Sequence, residues 1–68
     1  MNEHIYLWME MTGSSKKNIE DAVQKAVEKV AEEHKNVRVF EVTDLKGEVC
    51  DNLLCNWQVT LKVGYEVK

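Results

Sequence analysis

The stretch Trp57-Gln58-Val59-Thr60-Leu61-Lys62-Val63-Gly64-Tyr65 alternates between two kinds of side chain without interruption. One side of the alternation is apolar, and the other carries Gln58, Thr60 and Lys62. A period of two over this length predicts a β-strand with an apolar face and a polar face. An ordinary solvated face is the simplest interpretation of such a polar row. An amide, a hydroxyl and an amine in one row are also what a ligand-binding surface needs.

The chain has 68 residues, and we expect one domain over residues 1–68. A single core of this size rarely supplies more than roughly 3–5 kcal/mol, so small chains usually need a disulfide, a metal or a partner subunit. Two cysteines cannot form a disulfide framework. The sequence therefore predicts a homo-oligomer.

The net charge is −3 and the sequence pI is about 5.3. A nucleic-acid partner would need a basic patch, and the longest basic cluster is Lys16-Lys17. The same acidity argues against membrane-surface binding. No basic-then-apolar leader and no long apolar run opens the chain, so we expect a cytoplasmic protein with reduced thiols.

Two elements are predicted before the middle of the chain. His4 to Met11 is a strand with apolar side chains on both faces, and Thr12-Gly13-Ser14-Ser15 is the turn that ends it. A helix follows, with Asn18 as its N-cap and Asn36 in the left-handed position beyond its end. Its apolar stripe is made of small residues: Ile19, Ala22, Val23, Ala26, Val27 and Val30. We expect this stripe to pack on Phe40, Val42, Val59, Leu61 and Val63.

The second strand is predicted from Val37 to Val49, with a bend or bulge at Gly47. Asp51-Asn52 is predicted to form a tight hairpin turn into the third strand. The helix returns the chain, so the first two strands run parallel, and the hairpin makes the third antiparallel to the second. An all-antiparallel sheet then requires the order 1-3-2. The expected fold is α+β, a β-α-β-β subunit with a three-stranded antiparallel sheet wrapped on one helix.

Cys50 and Cys55 flank the predicted turn. A two-residue loop leaves them diagonal, about 7–8 Å apart and too far for a bond, whereas a four-residue loop would place them opposite each other. We expect reduced thiols. His4 and His34 lack the spacing of a zinc site and are expected on the surface. No catalytic triad, phosphate-binding glycine loop or carboxylate pair points to an enzyme.

Several blocks of the chain resemble the dodecin family. They are Thr12-Gly13-Ser14-Ser15, the helix that begins Ile19-Glu20-Asp21-Ala22-Val23, Arg38 to Val42, and the strand from Trp57 to Tyr65. Dodecins are small flavin-binding proteins of β-α-β-β fold, and twelve subunits form a hollow shell in which flavins bind in antiparallel pairs. The resemblance implies non-catalytic storage of FMN or riboflavin by a homododecamer.

The resemblance also implies three site residues. The family glutamine that hydrogen-bonds the polar edge of the flavin falls on Gln58, whose amide offers both a donor and an acceptor. A basic residue that could meet a flavin phosphate falls on Lys46. The family's stacking tryptophan is replaced here by Val39. Stacking on an aromatic side chain is worth about 1–3 kcal/mol per ring, so a weakened flavin affinity is expected.

Trp8 and Trp57 are the two tryptophans of the chain. Trp8 stands where the family commonly has an aliphatic residue, and we expect it to repack a subunit contact; replacement of the missing stacking ring is the less favoured alternative. Trp57 is expected in the core or against a neighbouring subunit.

Two further functions stay open. One is a structural dodecameric cage without flavin, which could hold another nucleotide-type ligand such as coenzyme A, because dodecin-type shells also offer peripheral nucleotide sites. The other is a redox-active dithiol formed by Cys50 and Cys55.

Overall fold

A computed structural model describes residues 4–67. Its elements are β1 (Ile5–Ser15), α1 (Ile19–Glu33), β2 (Val37–Cys50) and β3 (Leu53–Val67). The strands form one antiparallel sheet in the order β1-β3-β2. The predicted α+β topology, with the third strand in the middle of the sheet, is therefore confirmed.

The hairpin between β2 and β3 turns at Asp51 and Asn52, whose φ angles are 50° and 67°. Two consecutive left-handed residues are typical of a two-residue type I′ turn, which matches the twist of the flanking strands. Aspartate and asparagine tolerate this conformation better than other non-glycine residues. The predicted turn is confirmed.

The start of α1 is held by side chains that satisfy its free donors. The Asp21 backbone N–H donates to Oδ1 of Asn18 over 2.7 Å, which confirms the predicted N-cap. The buried Ser15 hydroxyl donates to Asp21 Oδ2 over 2.6 Å, and Lys25 Nζ lies 3.1 Å from the same oxygen. The Ser15 hydroxyl, and after it Lys25, lowers the pKa of Asp21.

No helix within residues 4–67 is long and apolar enough to cross a membrane.

The predicted turn at residues 12–15 is wrong, because β1 continues to Ser15. Thr12 to Ser15 pair in register with Thr60 to Trp57 of β3. Gly13 is needed for packing and not for a turn. A Cβ at Gly13 would lie 2.5 Å from the backbone oxygen of Ala22, so this glycine lets α1 lie close to β1.

Gly47 is likewise not a bulge residue, since it pairs with Trp57. The register of β2 against β3 shifts at three other places, between Val37 and Val39, between Val42 and Asp44, and between Glu48 and Val49. The last shift follows Gly47 by one residue. The predicted irregularity exists, but its position was wrong.

The core lies between α1 and the middle of the sheet. It consists of Ala22, Ala26, Val30, Val59, Leu61 and Val63, with Met9, Met11, Val23, Val27, Val37 and Tyr65 packed around it. The expected helix stripe is thus largely confirmed, but Ile19, Phe40 and Val42 remain 36%, 48% and 44% exposed. The reason is that α1 contacts mainly β1 and β3 and leaves the inner face of β2 uncovered.

The β2–β3 hairpin projects beyond the helix. The subunit is 53 Å long, whereas α1 spans only about 22 Å at 1.5 Å per residue. Leu45, Val49, Leu53 and Leu54 on this hairpin are at least half exposed. Residues 4–67 leave at least half of the surface of each of these apolar side chains open to solvent.

The expectation of reduced thiols is contradicted, because Cys50 and Cys55 form a disulfide with their Cα atoms 5.7 Å apart. The turn has two residues, but the pairing beside it is not regular: Val49 pairs with Leu54 and Glu48 with Asn56. Cys55 is therefore the extra residue of a bulge. This bulge brings the diagonal pair within bonding distance, which regular pairing would not.

Candidate ligand-binding face

The sheet face that points away from α1 is called the polar face here. On β3 it carries the residues that alternate with the core residues, namely Asn56, Gln58, Thr60, Lys62, Gly64 and Glu66. Residues of β1 and β2 that pair with these positions share the face, because antiparallel partners point the same way. The register therefore fixes which side chains meet in each row.

At the hairpin end of the polar face, Lys46 of β2 pairs with Gln58 of β3. They border an open cavity of about 350 Å³, lined by Lys46, Gly47, Glu48, Asn56 and Gln58. Gln58 is exposed, and the Lys46 ammonium lies 3.5 Å from Asp44 Oδ2 with most of its side chain in solvent. An amide and a largely exposed cation thus face the same space.

Threonine side chains occupy the middle of the polar face. Thr12 and Thr60 share a hydrogen bond of 2.9 Å between their Oγ1 atoms, and Thr43 donates to the Thr60 carbonyl over 3.2 Å. These hydroxyls satisfy each other and the backbone. They separate the hairpin end of the face from the opposite end.

At the opposite end, Gly64 pairs with Trp8 on one side and with Val39 on the other. A Cβ at Gly64 would lie 2.9 Å from Val39 Cγ1 and 3.1 and 3.2 Å from Cζ3 and Cε3 of Trp8. The two side chains therefore lean over the glycine and bury it, while Trp8 and Val39 stay 49% and 41% exposed themselves. The result is a continuous apolar surface across all three strands.

A row of charges borders this apolar surface. Lys62 of β3 pairs with Glu10 of β1 and Glu41 of β2. Together with Trp8, these three residues line an open cavity of about 420 Å³. Both cavities of the polar face fall within the usual size range of small-molecule sites, roughly 300–1,000 Å³.

Glu66 closes the polar face beyond Gly64. His4 Nδ1 donates to Glu66 Oε2, and Arg38 Nε donates to Glu66 Oε1 over 3.3 Å. The bond from His4, and after it the bond from Arg38, lowers the pKa of Glu66 below its ordinary value. Glu66 is thus held as a carboxylate and fixes the ends of β1 and β2 to β3.

The histidines differ in their surroundings. His4 is exposed, as predicted, but His34 is half-buried and stacks on Tyr65 with ring centroids 3.9 Å apart. Within residues 4–67, no three His, Cys, Asp or Glu side chains are placed to hold a metal ion.

Comparison with known proteins places this fold. The family model for dodecin matches residues 5–68. The chain belongs to the dodecin family. The dodecin of Thermus thermophilus is 27% identical over 64 residues, which cover 94% of this chain and 93% of that protein. Among solved structures, the dodecin of Streptomyces coelicolor is 32% identical, with a TM-score of 0.85 and coverage of 100% of this chain and 97% of that one. The dodecin of Streptomyces davaonensis is 27% identical, with a TM-score of 0.84 and 98% of each chain covered.

The residues that dodecin resemblance assigns to a site do not all meet in one subunit. Gln58 and Lys46 lie side by side. Val39 lies at Gly64, and residues 58 and 64 of β3 are separated by about 20 Å at a rise of about 3.3 Å per residue. A site that contains all three residues therefore needs two copies of the chain.

Trp8 was predicted to repack a subunit contact, with a stacking role as the less favoured alternative, and it lies on the polar face beside Val39. The signal was available, because β1 alternates like β3 and Trp8 falls on the same face as Glu10 and Thr12. What the alternation could not supply was the register. Only the pairing of Trp8 with Gly64 puts the indole beside Val39.

Proposed function

We propose that this chain binds and stores a flavin, FMN or riboflavin, without catalysing a reaction on it. Dodecins are small flavin-binding oligomeric proteins and not a known enzyme family, and this chain belongs to them. The observation that carries the proposal is the pairing of Gln58 with Lys46 on one cavity of the polar face. The amide would hydrogen-bond the imide-like edge of the flavin, and the cation suits the phosphate of FMN.

The assembly that we propose is a homododecamer. Two observations support assembly: the site residues need two copies, and the inner face of β2 and the hairpin expose apolar side chains. Clustered exposed apolar side chains are typical of a protein interface. A cytoplasmic location is part of the proposal.

Flavin fluorescence tests the proposal directly. Titration of FMN or riboflavin with purified protein should quench the flavin emission at micromolar protein. The size of the particle, measured by light scattering, should be that of twelve subunits. Unquenched flavin at micromolar protein contradicts the storage function, and a monomer in dilute buffer contradicts the assembly.

A second candidate is a structural dodecameric cage without flavin, which could bind a nucleotide-type ligand such as coenzyme A. Val39 favours this candidate, because a valine cannot provide the stacking of the tryptophan that dodecin resemblance places there. Val39→Trp separates the two functions. Under flavin storage, the variant should quench flavin more strongly than the wild type. A wild type that does not quench, with a variant that does, would show a cage that has kept its pocket shape.

A further inference from the structure

We propose that Trp8 is the aromatic stacking residue of this chain's ligand site, acting from β1 across Gly64 in place of an aromatic side chain at position 39. The inference rests on the proposed flavin binding and names the surface that receives the flat ring. It assigns to Trp8 a binding role instead of a purely structural one.

The first observation that supports a stacking role is the position of the Trp8 indole. Trp8 and Val39 stand on the two edge strands and pair with the same residue of the central strand, Gly64. A Cβ at Gly64 would lie 3.1 Å from Trp8 Cζ3. The indole therefore leans inward over the middle strand and reaches the place that a side chain at Gly64 would otherwise fill.

The second observation is the exposure of the Trp8 side chain. Trp8 is 49% exposed within the subunit and lines the cavity of about 420 Å³, so its ring is open to a ligand. Val39 continues the apolar surface on the other side of Gly64. The two edge strands are about 10 Å apart, twice the spacing of neighbouring strands. A flat ring system of three fused rings suits a surface of this shape, whereas a small or globular ligand would leave much of it uncovered.

The third observation is the row of charged side chains beside Trp8. Lys62 lies between Glu10 and Glu41 in the next row, so the row has a net charge of −1 at neutral pH. A phosphate is disfavoured beside two carboxylates. An uncharged ring with carbonyl and imide groups at its edge can accept from the Lys62 ammonium and donate to a carboxylate. This end of the face therefore suits the ring of a flavin and not its phosphate.

Tryptophan emission provides a test without any change at Trp8. Trp57→Phe leaves Trp8 as the single tryptophan, and Trp57 lies on the opposite face of the sheet, paired with Gly47. Riboflavin or FMN added to this variant should quench the Trp8 emission by more than half at saturation. The flavin affinity of this variant should equal that of the wild type. Trp8 emission that stays unchanged at flavin saturation overturns the inference.

Substitution at Trp8 provides the second test. Trp8→Leu keeps an apolar side chain but removes the ring, and should weaken FMN and riboflavin binding about tenfold or more. Trp8→Phe keeps a ring and should restore most of the affinity. The particle size of each variant is measured alongside, so that a loss of assembly is recognised.

The failures of the two proposals are distinguishable. A wild type that binds neither flavin overturns the proposed function, and the inference with it. A wild type that binds flavin, with an assembled Trp8→Leu variant of equal affinity, overturns the inference alone. In that case Trp8 packs at a subunit contact.

Discussion

Replacement of Gly13 by alanine should destabilise the subunit, because at this glycine the backbone of α1 lies too close to β1 to leave room for a Cβ. The added methyl carbon would lie 2.5 Å from the Ala22 backbone oxygen and 3.5 Å from Ala26 Cβ. Separations under 3.0 Å are essentially never seen for a real Cβ. The obstacle is helix backbone, which cannot rotate out of the way as a side chain can, so the helix must move off the sheet.

The magnitude follows from two opposing contributions. Overpacking a core usually costs about 1–3 kcal/mol, and a clash with backbone belongs in the upper part of that range. Alanine also restricts the unfolded chain, which offsets about 0.4–1 kcal/mol. The expected net loss in the free energy of unfolding is about 2 kcal/mol. For a domain of this size each 1 kcal/mol shifts the Tm by about 4–8 °C, so the Tm should fall by about 8–16 °C.

Gly47→Ala is the matched control on the other edge strand. A Cβ there would lie 3.7 Å from Leu54 Cδ2 and 3.8 Å from the Asn56 oxygen, which is ordinary contact. Neither glycine has a positive φ, so backbone conformation does not distinguish them. Urea and thermal unfolding are measured at one protomer concentration, because assembly adds to apparent stability. A Gly13→Ala variant as stable as Gly47→Ala would refute the close-packing argument.

Three further changes have defined outcomes. Cys50→Ser combined with Cys55→Ser should lower the free energy of unfolding by about 2 kcal/mol, the loop-closure contribution of so short a ring, as measured by urea unfolding; a thiol assay on unreduced wild type should find no free thiol. Glu66→Gln should flatten the loss of stability in acid. Because His4 and Arg38 lower the pKa of Glu66, its contribution is present above its ordinary pKa of 4.5 and is lost as the pH falls through the lowered value, which urea midpoints at a series of acid pH values will show. Asn18→Ala should cost about 1 kcal/mol by removing the N-cap, and Asn18→Gly only a few tenths, measured in the same unfolding assay.

Local chemistry predicted the elements of the fold well. The N-cap at Asn18 and the turn at Asp51-Asn52 depend on residues that satisfy backbone demands by themselves, so the sequence alone identifies them. The strand order followed from the connections and needed no tertiary detail. These features are local or topological.

Features that depend on distant partners were missed. Thr12 to Ser15 has the composition of a turn, but pairing with β3 makes it a strand, since tertiary hydrogen bonds override local preference. The Cys50–Cys55 bond depends on a bulge at Cys55, and no residue beside it in the chain is of a type that predicts a bulge. Phe40 and Val42 alternate like core residues, yet the helix does not cover them. Neither the helical spacing of α1 nor the alternation of β2 indicates over which strands the helix lies.

The candidate site likewise has features that the sequence predicted and features that depend on the register of the strands. The alternation of the third strand placed Gln58 on the polar face, but its role as a site residue, like that of its neighbour Lys46, was predicted from the resemblance. Val39 was predicted from the resemblance, but its distance from Gln58 within one subunit depends on register, which the sequence does not fix. Trp8 needed the register of β1 against β3.

The distance between the two ends of the polar face has a thermodynamic consequence. A ligand that contacts Val39 of one copy and Gln58 of another bridges two copies, so its binding and their association are linked equilibria. Ligand binding then strengthens subunit association, and by reciprocity association strengthens ligand binding by the same coupling free energy. Dilution of the protein at a fixed ligand concentration would then release ligand, and saturation with ligand would lower the protomer concentration at which the particle dissociates.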